Sequence, residues 1–175
     1  NPLGVYARSK YMGERFVVEN ADRYLVCRAG WMMGSGPGKD KKFVQKIMSQ
    51  IKKGKKELFV VDDKDGTPTY TIDFANTVKE LLTKEYWGLY NCVCRGQTSR
   101  YEVAKEILDI LDLEDQIVVT KVSSDYFRET YFANRPASER LLTTKLDLRG
   151  IDKMRHWKLA LEEYLNDHYK DYLNE

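Results

Sequence analysis

The sequence is poor in the residues that mark secreted, membrane-spanning and metal-binding proteins. Its 175 residues include only three cysteines, four prolines and two histidines. Cys27, Cys92 and Cys94 lack the spacing of a disulfide framework, so we expect a reducing compartment and a cytoplasmic protein. No apolar run approaches the roughly 18 residues of a membrane helix, and the chain has neither a signal segment nor an Asn-x-Ser/Thr site. We therefore predict no membrane span and no metal site.

The charge balance also lacks a bias toward either sign. The chain has 29 basic and 27 acidic residues, a net charge of +2, which argues against a nucleic-acid-binding protein. Eight lysines between Lys39 and Lys56 are the local exception, and we interpret them as the solvated face of an amphipathic helix. A hydrophobic content of 42% is enough for one domain with a core. Twelve tyrosines and three tryptophans suit polar small-molecule pockets.

Hydrophobic periodicity predicts an α/β domain in which helices alternate with short strands. Helices are predicted at about residues 5–20, 41–53, 73–84, 99–111 and 156–173. Strands are predicted at about residues 24–29, 58–61, 89–94 and 117–119. Residues 122–150 are predicted to be irregular, because the residue before Pro136 is restricted to extended backbone. Ser99 and Glu102 form a capping-box signature at the start of the fourth helix.

Tyr6 and Lys10 lie four residues apart on the first predicted helix, and therefore share one face, one turn apart. A carbonyl reductase must supply a proton to the oxygen that hydride transfer leaves negative. Tyrosine can supply it, although its unperturbed pKa is about 10, and a nearby ammonium group lowers that pKa. Tyr101 and Lys105 have the same spacing on another helix. The spacing alone is therefore not specific, and the surrounding residues must decide.

Five segments of the sequence resemble a known enzyme family, and this resemblance identifies Tyr6, and not Tyr101, as the candidate proton donor. They are residues 1–14 (Asn-Pro-Leu-Gly-Val-Tyr-Ala-Arg-Ser-Lys-Tyr-Met-Gly-Glu), 28–34 (Arg-Ala-Gly-Trp-Met-Met-Gly), 60–71, 101–104 and 135–141. In this order they resemble the dTDP-4-dehydrorhamnose reductases, which are extended short-chain dehydrogenase/reductases. The first segment is similar to the active-site helix of that family. The match extends over nearly the whole chain, although Lys42 replaces the asparagine common in the family.

The resemblance implies an NAD(P)H-dependent oxidoreductase that reduces a 4-keto-6-deoxy sugar nucleotide, as in dTDP-rhamnose biosynthesis for cell-wall polysaccharide. Tyr6 would donate the proton to the 4-keto oxygen. Lys10 would bind the nicotinamide ribose and tune Tyr6, and Arg28 is also assigned to the cofactor. The residues assigned to the nucleotide-sugar substrate are Trp31, Thr69, Tyr70 and Arg135. Arg135 is the candidate for phosphate contact, and NADH versus NADPH stays open.

The resemblance also implies two lobes. Residues 1–35 would be the remnant of a Rossmann-like NAD(P)-binding domain, with the catalytic helix and one strand. Residues 36–175 would be an α/β substrate-binding lobe. The family's glycine-rich nucleotide loop and its catalytic Ser/Thr are missing and should precede Asn1. We therefore expect a fragment that is inactive in isolation. Residues 34–38 (Gly-Ser-Gly-Pro-Gly) lack the continuation of a dinucleotide loop and are interpreted as a flexible connection between the lobes.

Two other functions remain open at this point. The chain could be a non-catalytic module that binds a sugar nucleotide or a protein, although the intact Tyr6 and Lys10 argue against a degenerate relative. It could also belong to a nucleotide-sugar epimerase or dehydratase, because the Tyr-Lys pair is common to these enzymes. The segments at Thr67-Pro68 and Arg135-Pro136 favour the reductase. A homodimer is left open as well.

Overall fold

The computed structural model describes residues 2–130, 135–151 and 153–173, and in these ranges helices alternate with short strands. The described helices are α1 (Val5–Asn20), α2 (Phe43–Lys52), α3 (Thr71–Thr83), α4 (Arg100–Ile110), α5 (Thr144–Leu148) and α6 (Trp157–Tyr169). A short 3-10 helix covers Ser124–Phe127. This α/β architecture confirms the predicted fold class.

The strands are short and pair two by two within the described residues. They are β1 (Leu25–Arg28), β2 (Trp31–Met33), β3 (Glu57–Val61), β4 (Asp65–Gly66), β5 (Pro68–Tyr70), β6 (Gly88–Asn91), β7 (Thr98–Ser99) and β8 (Val118–Val122). Three pairs are parallel, namely β1 with β6, β2 with β5 and β3 with β8. The fourth, β4 with β7, is antiparallel. Parallel partners need long connections, and helices of the chain provide them.

The core lies among α2, α4 and α6 and the strands they cover. Each of these helices turns a row of apolar side chains inward, as the helical period predicts. The buried residues are Val44, Ile47, Met48 and Ile51 on α2, Val103, Ala104, Ile107 and Leu108 on α4, and Trp157, Ala160, Leu161, Tyr164, Leu165 and Tyr169 on α6. The predicted capping box is present at α4, where the Ser99 hydroxyl accepts the Glu102 N–H and the Glu102 carboxylate accepts the Ser99 N–H.

Helix α1 differs from the others because it buries none of its residues within the described part of the chain. Met12 and Phe16, which the sequence places on its apolar face, are 70% and 68% exposed. A bidentate ion pair joins α1 to β1. The Arg28 guanidinium at the end of β1 donates to both carboxylate oxygens of Glu14, at 2.8 and 2.5 Å. The apolar face of α1 is therefore open.

The sequence missed the pairing of β2 with β5 and the short helix α5. Trp31–Met33 lies between two glycines, and Pro68–Tyr70 begins with a proline. Only their mutual register, with Trp31 beside Pro68, makes these three-residue segments strands. The prediction that residues 122–150 are irregular is wrong in part, because the 3-10 helix and α5 lie there. Strand β6 ends at Asn91, three residues earlier than predicted, although Cys92 and Cys94 are buried.

Two features bear on the predicted lobes. Strand β1, assigned to the first lobe, pairs with β6, which lies in the second predicted lobe. The division at residue 35 stays a prediction, and this pairing crosses it. The loop at residues 34–38, predicted to be a flexible connection, is packed at two of its five residues. Gly34 and Gly36 are buried and have φ of 154° and 67°. A Cβ atom at Gly36 would lie 3.0 Å from the imidazole of His168, so the loop is held against α6.

Candidate functional site

The predicted catalytic pair lies on the open side of α1. Tyr6 is 75% exposed, and Lys10 is exposed one turn further along the helix. The Lys10 ammonium nitrogen is 5.5 Å from the centroid of the Tyr6 ring. Helical spacing places both side chains on one face, and no residue of the described chain covers them. A ligand can therefore reach the phenol and the ammonium group together.

Arg28, which the resemblance assigns to the cofactor, uses its guanidinium inside the chain. Its two bonds to Glu14 join the end of β1 to the middle of α1 and so fix the helix that carries Tyr6 and Lys10. Hydrogen bonding to Glu14 raises the pKa of Arg28. The structure places Arg28 where it positions α1, and a direct contact with a cofactor stays a prediction.

Three segments named by the resemblance converge around Trp31. Trp31 pairs with Pro68 across the parallel strands β2 and β5, and its indole N–H donates to Glu139 at 2.8 Å. The stretch that follows Arg135 runs along β4, where Asp65 N–H donates to Ala137 and Glu139 N–H donates to Asp65. Residues distant in sequence thus form one surface around the indole.

Trp31 is half-buried, and its ring rests against Gly66. A Cβ atom at Gly66 would lie 2.2 Å from the indole carbons, a distance that side chains do not tolerate. The guanidinium carbon of Arg100 is 4.3 Å from the centroid of the same ring, in a cation–π contact. Internal contacts therefore already hold the ring, and its predicted contact with the sugar or nucleotide would use the part of the ring that they leave open.

Replacing Gly66 by alanine should destabilise the fold, because the methyl group meets the rigid Trp31 ring. We expect a loss of about 1–3 kcal/mol in the free energy of unfolding, the usual cost of overpacking. Chemical denaturation followed by circular dichroism measures it. The matched control is Gly38→Ala, since a Cβ atom there meets nothing within 4 Å. Equal stability of both variants would contradict the contact.

Thr69 and Tyr70 are fully buried, which gives them packing roles. The Thr69 hydroxyl accepts the Gly30 N–H at 2.8 Å and so ties the approach to β2 to β5. Tyr70 packs against Tyr164, with ring centroids 5.7 Å apart. Burial raises the pKa of Tyr70 to about 12, and the carboxylate of Glu163 adds to the shift. Their assignment to substrate contact stays a prediction that this burial does not support.

Arg135 is the most accessible of the residues assigned to the substrate. Its side chain is 68% exposed, and its guanidinium lies 4.0 Å from Glu139. Its carbonyl oxygen accepts a hydrogen bond from Lys64. The structure thus brings Trp31 and Arg135 to one surface through Glu139, which binds the indole of one and pairs with the guanidinium of the other.

Sequence reasoning missed Arg100 and Glu139, which complete this surface. Arg100 is the first residue of α4 and lies inside the capping box of Ser99 and Glu102, where the local pattern predicts only a helix start. Glu139 lies within the Arg135 to Leu141 segment but belongs to none of its motif positions. Both are identified by their contacts with Trp31, from which Arg100 is 69 residues and Glu139 is 108 residues away in sequence. No local sequence pattern contains such a contact.

The described residues hold no group of three or more His, Cys, Asp or Glu side chains that could bind a metal ion. None of the described helices combines the length and apolar character needed to cross a membrane. Cys27, Cys92 and Cys94 are free thiols.

Comparison with known proteins gives consistent matches. A family model described as RmlD substrate binding domain matches residues 1–170. The spore coat polysaccharide biosynthesis protein SpsK of Bacillus subtilis is 33% identical over 167 residues, which cover 95% of this chain and 56% of that protein. A dTDP-4-dehydrorhamnose reductase of Mycobacterium tuberculosis is 32% identical over 161 residues, which cover 91% of this chain and 51% of that protein.

A solved structure agrees with these relatives. The dTDP-4-dehydrorhamnose reductase of Bacillus anthracis, determined in complex with NADP, superposes with a TM-score of 0.80 at 31% identity. The superposition covers 93% of this chain and 54% of that one. The chain thus spans about half the length of the curated relatives that it matches.

Proposed function

From the premise that the chain belongs to the RmlD substrate binding domain family, we propose that the whole protein is an NAD(P)H-dependent reductase. Its substrate would be a 4-keto-6-deoxy sugar nucleotide of the dTDP-4-dehydrorhamnose type. The reduced nicotinamide would supply the hydride, and Tyr6 would supply the proton to the resulting alkoxide. NADPH is favoured over NADH by the NADP bound to the related B. anthracis reductase.

The observation that carries this proposal is the accessible pair on α1. The Tyr6 hydroxyl lies on an exposed ring, and the Lys10 ammonium sits beside that ring at 5.5 Å from its centroid. A proton donor must lie within hydrogen-bond reach of the substrate oxygen, which requires an open phenol. A positive charge next to it stabilises the phenolate that remains after the proton has been given.

The open face of α1 would suit packing against a further lobe, as expected if the whole protein has the length of its relatives. In the whole protein, Met12 and Phe16 would pack against the lobe that carries the nucleotide-binding loop. Such a lobe would also bring the cofactor to Lys10 and to Arg28, whose guanidinium is held by Glu14. We propose residues 1–35 together with β6 as this chain's share of that lobe. The remainder would be the substrate-binding lobe, and the free thiols suit a cytoplasmic location.

The substrate would lie between Tyr6 and the surface around Trp31. Trp31 and Arg135 are the two assigned residues that the substrate can reach, since both carry solvent-accessible surface. Thr69 and Tyr70 would act indirectly, by holding β5 beside β2. Arg135 is suited to a phosphate group, because a guanidinium presents several donors to an anion at once.

The test is the consumption of NADPH by the whole protein. A reductase consumes one NADPH for each keto sugar, and the loss of absorbance at 340 nm measures this consumption. An epimerase or dehydratase returns its cofactor unchanged. A sugar nucleotide without a keto group serves as the control substrate. Keto-dependent oxidation of NADPH supports the proposal. Isomerisation without net oxidation would favour the epimerase alternative, and tight binding of substrate and cofactor without turnover would favour the non-catalytic module.

A further inference from the structure

Arg100 has an unusual environment at the start of α4. Its guanidinium carbon is 4.3 Å from the centroid of the Trp31 ring and 4.9 Å from that of Phe43. The side chain is largely buried, and burial lowers the pKa of Arg100, an effect that the nearby charge of Arg135 increases. Arginine remains charged in proteins even so, and the chain therefore places a positive charge against two aromatic rings.

This charge has no hydrogen-bond acceptor among the residues that the structure describes. The carboxylate that acts on it electrostatically is Glu139, but the oxygens of Glu139 face other groups. One accepts the Trp31 indole N–H at 2.8 Å, and the other lies 4.0 Å from Arg135. A guanidinium carries five N–H donors. Among the described residues, the fully buried side-chain atoms without a partner are on Tyr70, Tyr90 and Asn91, so the donors of Arg100 reach solvent. An anion that reaches this site can therefore accept from these donors in place of water.

Other arginines of the described chain show the contrast. Arg28 is paired with Glu14, and Arg155 with Asp73 and Glu163. Arg140, close to the same surface, donates to Gln97 and Ser138. Each of these guanidinium groups has an acceptor within the chain, whereas Arg100, like Arg149 beside Tyr86, has ring contacts and no acceptor among the described residues.

The contacts of Arg100 also define what it can bind. Stacking on rings uses the flat faces of a guanidinium and leaves the N–H groups at its edge, which match two oxygens of a phosphate group. Arg135 supplies a second guanidinium near Arg100, and its side chain is 68% exposed. Two cations around one carboxylate leave a net positive charge at this surface.

We propose that Arg100 binds the diphosphate of the sugar nucleotide, with Arg135 as the second cation and with Trp31 and Phe43 holding its guanidinium in place. The inference rests on the proposed function, since it names the residue that recognises the charged part of the same substrate. It also gives Trp31 a role that its buried contacts support, namely to orient Arg100.

The test is calorimetric binding of dTDP to the whole protein. Arg100→Met keeps an apolar stem between the rings and removes the charge, and the Kd of dTDP should rise about 10- to 100-fold, as for a lost charge-assisted hydrogen bond. Arg140→Met is the matched control and should change the Kd less than about two-fold, because its partners lie within the chain. Inorganic pyrophosphate, used as a competitor, should lose the same factor as dTDP when Arg100 is replaced.

Two further measurements separate binding from a structural role. Arg100→Lys retains a charge without the two-donor edge, so its Kd for dTDP should lie between those of the parent protein and Arg100→Met. If Arg100→Met folds poorly, the comparison of Arg100→Lys with the parent protein still tests the site. Loss of one phosphate contact should also flatten the dependence of log Kd on log salt concentration. A purely structural role would leave that slope unchanged and would overturn the inference.

The outcomes distinguish this site from the proposed function. Unchanged dTDP affinity in Arg100→Met overturns the site, as does the absence of dTDP binding by the parent protein. Weaker NADPH binding with unchanged dTDP binding would also overturn it, because the arginine would then serve a cofactor phosphate. None of these results touches the reductase proposal, which fails only if the whole protein does not oxidise NADPH with a keto sugar nucleotide.

Discussion

Tyr6→Phe in the whole protein should lower kcat by about 10²- to 10⁴-fold, the range contributed by a positioned general acid. The Kd of the sugar nucleotide should change less than about three-fold. The substitution removes only the hydroxyl that gives the proton. The phenylalanine ring can still lie under the Lys10 ammonium, and a position that is 75% exposed makes little difference to folding. Single-turnover kinetics and calorimetry measure the two quantities separately.

The matched control is Tyr101→Phe. Tyr101 and Lys105 repeat the four-residue spacing of Tyr6 and Lys10 on α4, but the Tyr101 ring lies beside Lys121, at 4.5 Å from its ammonium nitrogen. Its hydroxyl has no described role near α1, so kcat should stay within about two-fold of the parent enzyme. Near-normal turnover in Tyr6→Phe would remove the proton-donor assignment. A loss of equal size in both variants would point to damage to the fold.

Replacing Arg155 by methionine should destabilise the chain by about 1–3 kcal/mol, because it leaves the buried Asp73 carboxylate without its partner. The Arg155 side chain is itself 36% exposed, so water screens part of the interaction. Arg155 lies just before α6 and donates two nitrogens to Asp73 at the start of α3, and it also pairs with Glu163. The Asp73 side chain is only 5% exposed, so losing its partner leaves a carboxylate charge in the interior. Denaturant titration at neutral pH gives the change in the free energy of unfolding.

Two controls show whether the buried charge is the cause. Arg15→Met removes an exposed partner of Glu19 on α1 and should change the free energy of unfolding far less than Arg155→Met does. The double variant Asp73→Asn/Arg155→Met should be more stable than the sum of its single changes predicts, because the uncompensated charge is gone. Strict additivity would show that Arg155 acts through its packing on Tyr70 and not through the ion pair.

The effect of Arg155 should also depend on pH with a definite sign. Hydrogen bonding to Arg155 lowers the pKa of Glu163 in the folded chain. A lowered folded pKa gives stability that is present above the unfolded pKa of about 4.3 and is lost as the pH falls through the folded value. The difference between the parent chain and Arg155→Met should therefore be full at neutral pH and shrink in acid.

Much of the fold could be predicted from local pattern. The five long helices appear within a few residues of their predicted ends, and the capping box at Ser99 and Glu102 forms as expected. Each depends on residues within a few turns of chain, where helical period and side-chain hydrogen bonds act. Strands β2 and β5 could not be predicted, because three residues carry no period and their partner lies 37 residues away.

The same distinction between local pattern and distant contacts applies to the candidate site. The sequence by itself determined the spacing of Tyr6 and Lys10, since four residues of helix place two side chains on one face whatever the rest of the chain does. It also determined the segments that mark the family. Only the tertiary structure decided which assigned residues are reachable, burying Thr69 and Tyr70 and leaving Arg135 open. Only it placed Arg100 and Glu139 beside Trp31, because contacts between distant segments follow from packing the whole core, which no local pattern records.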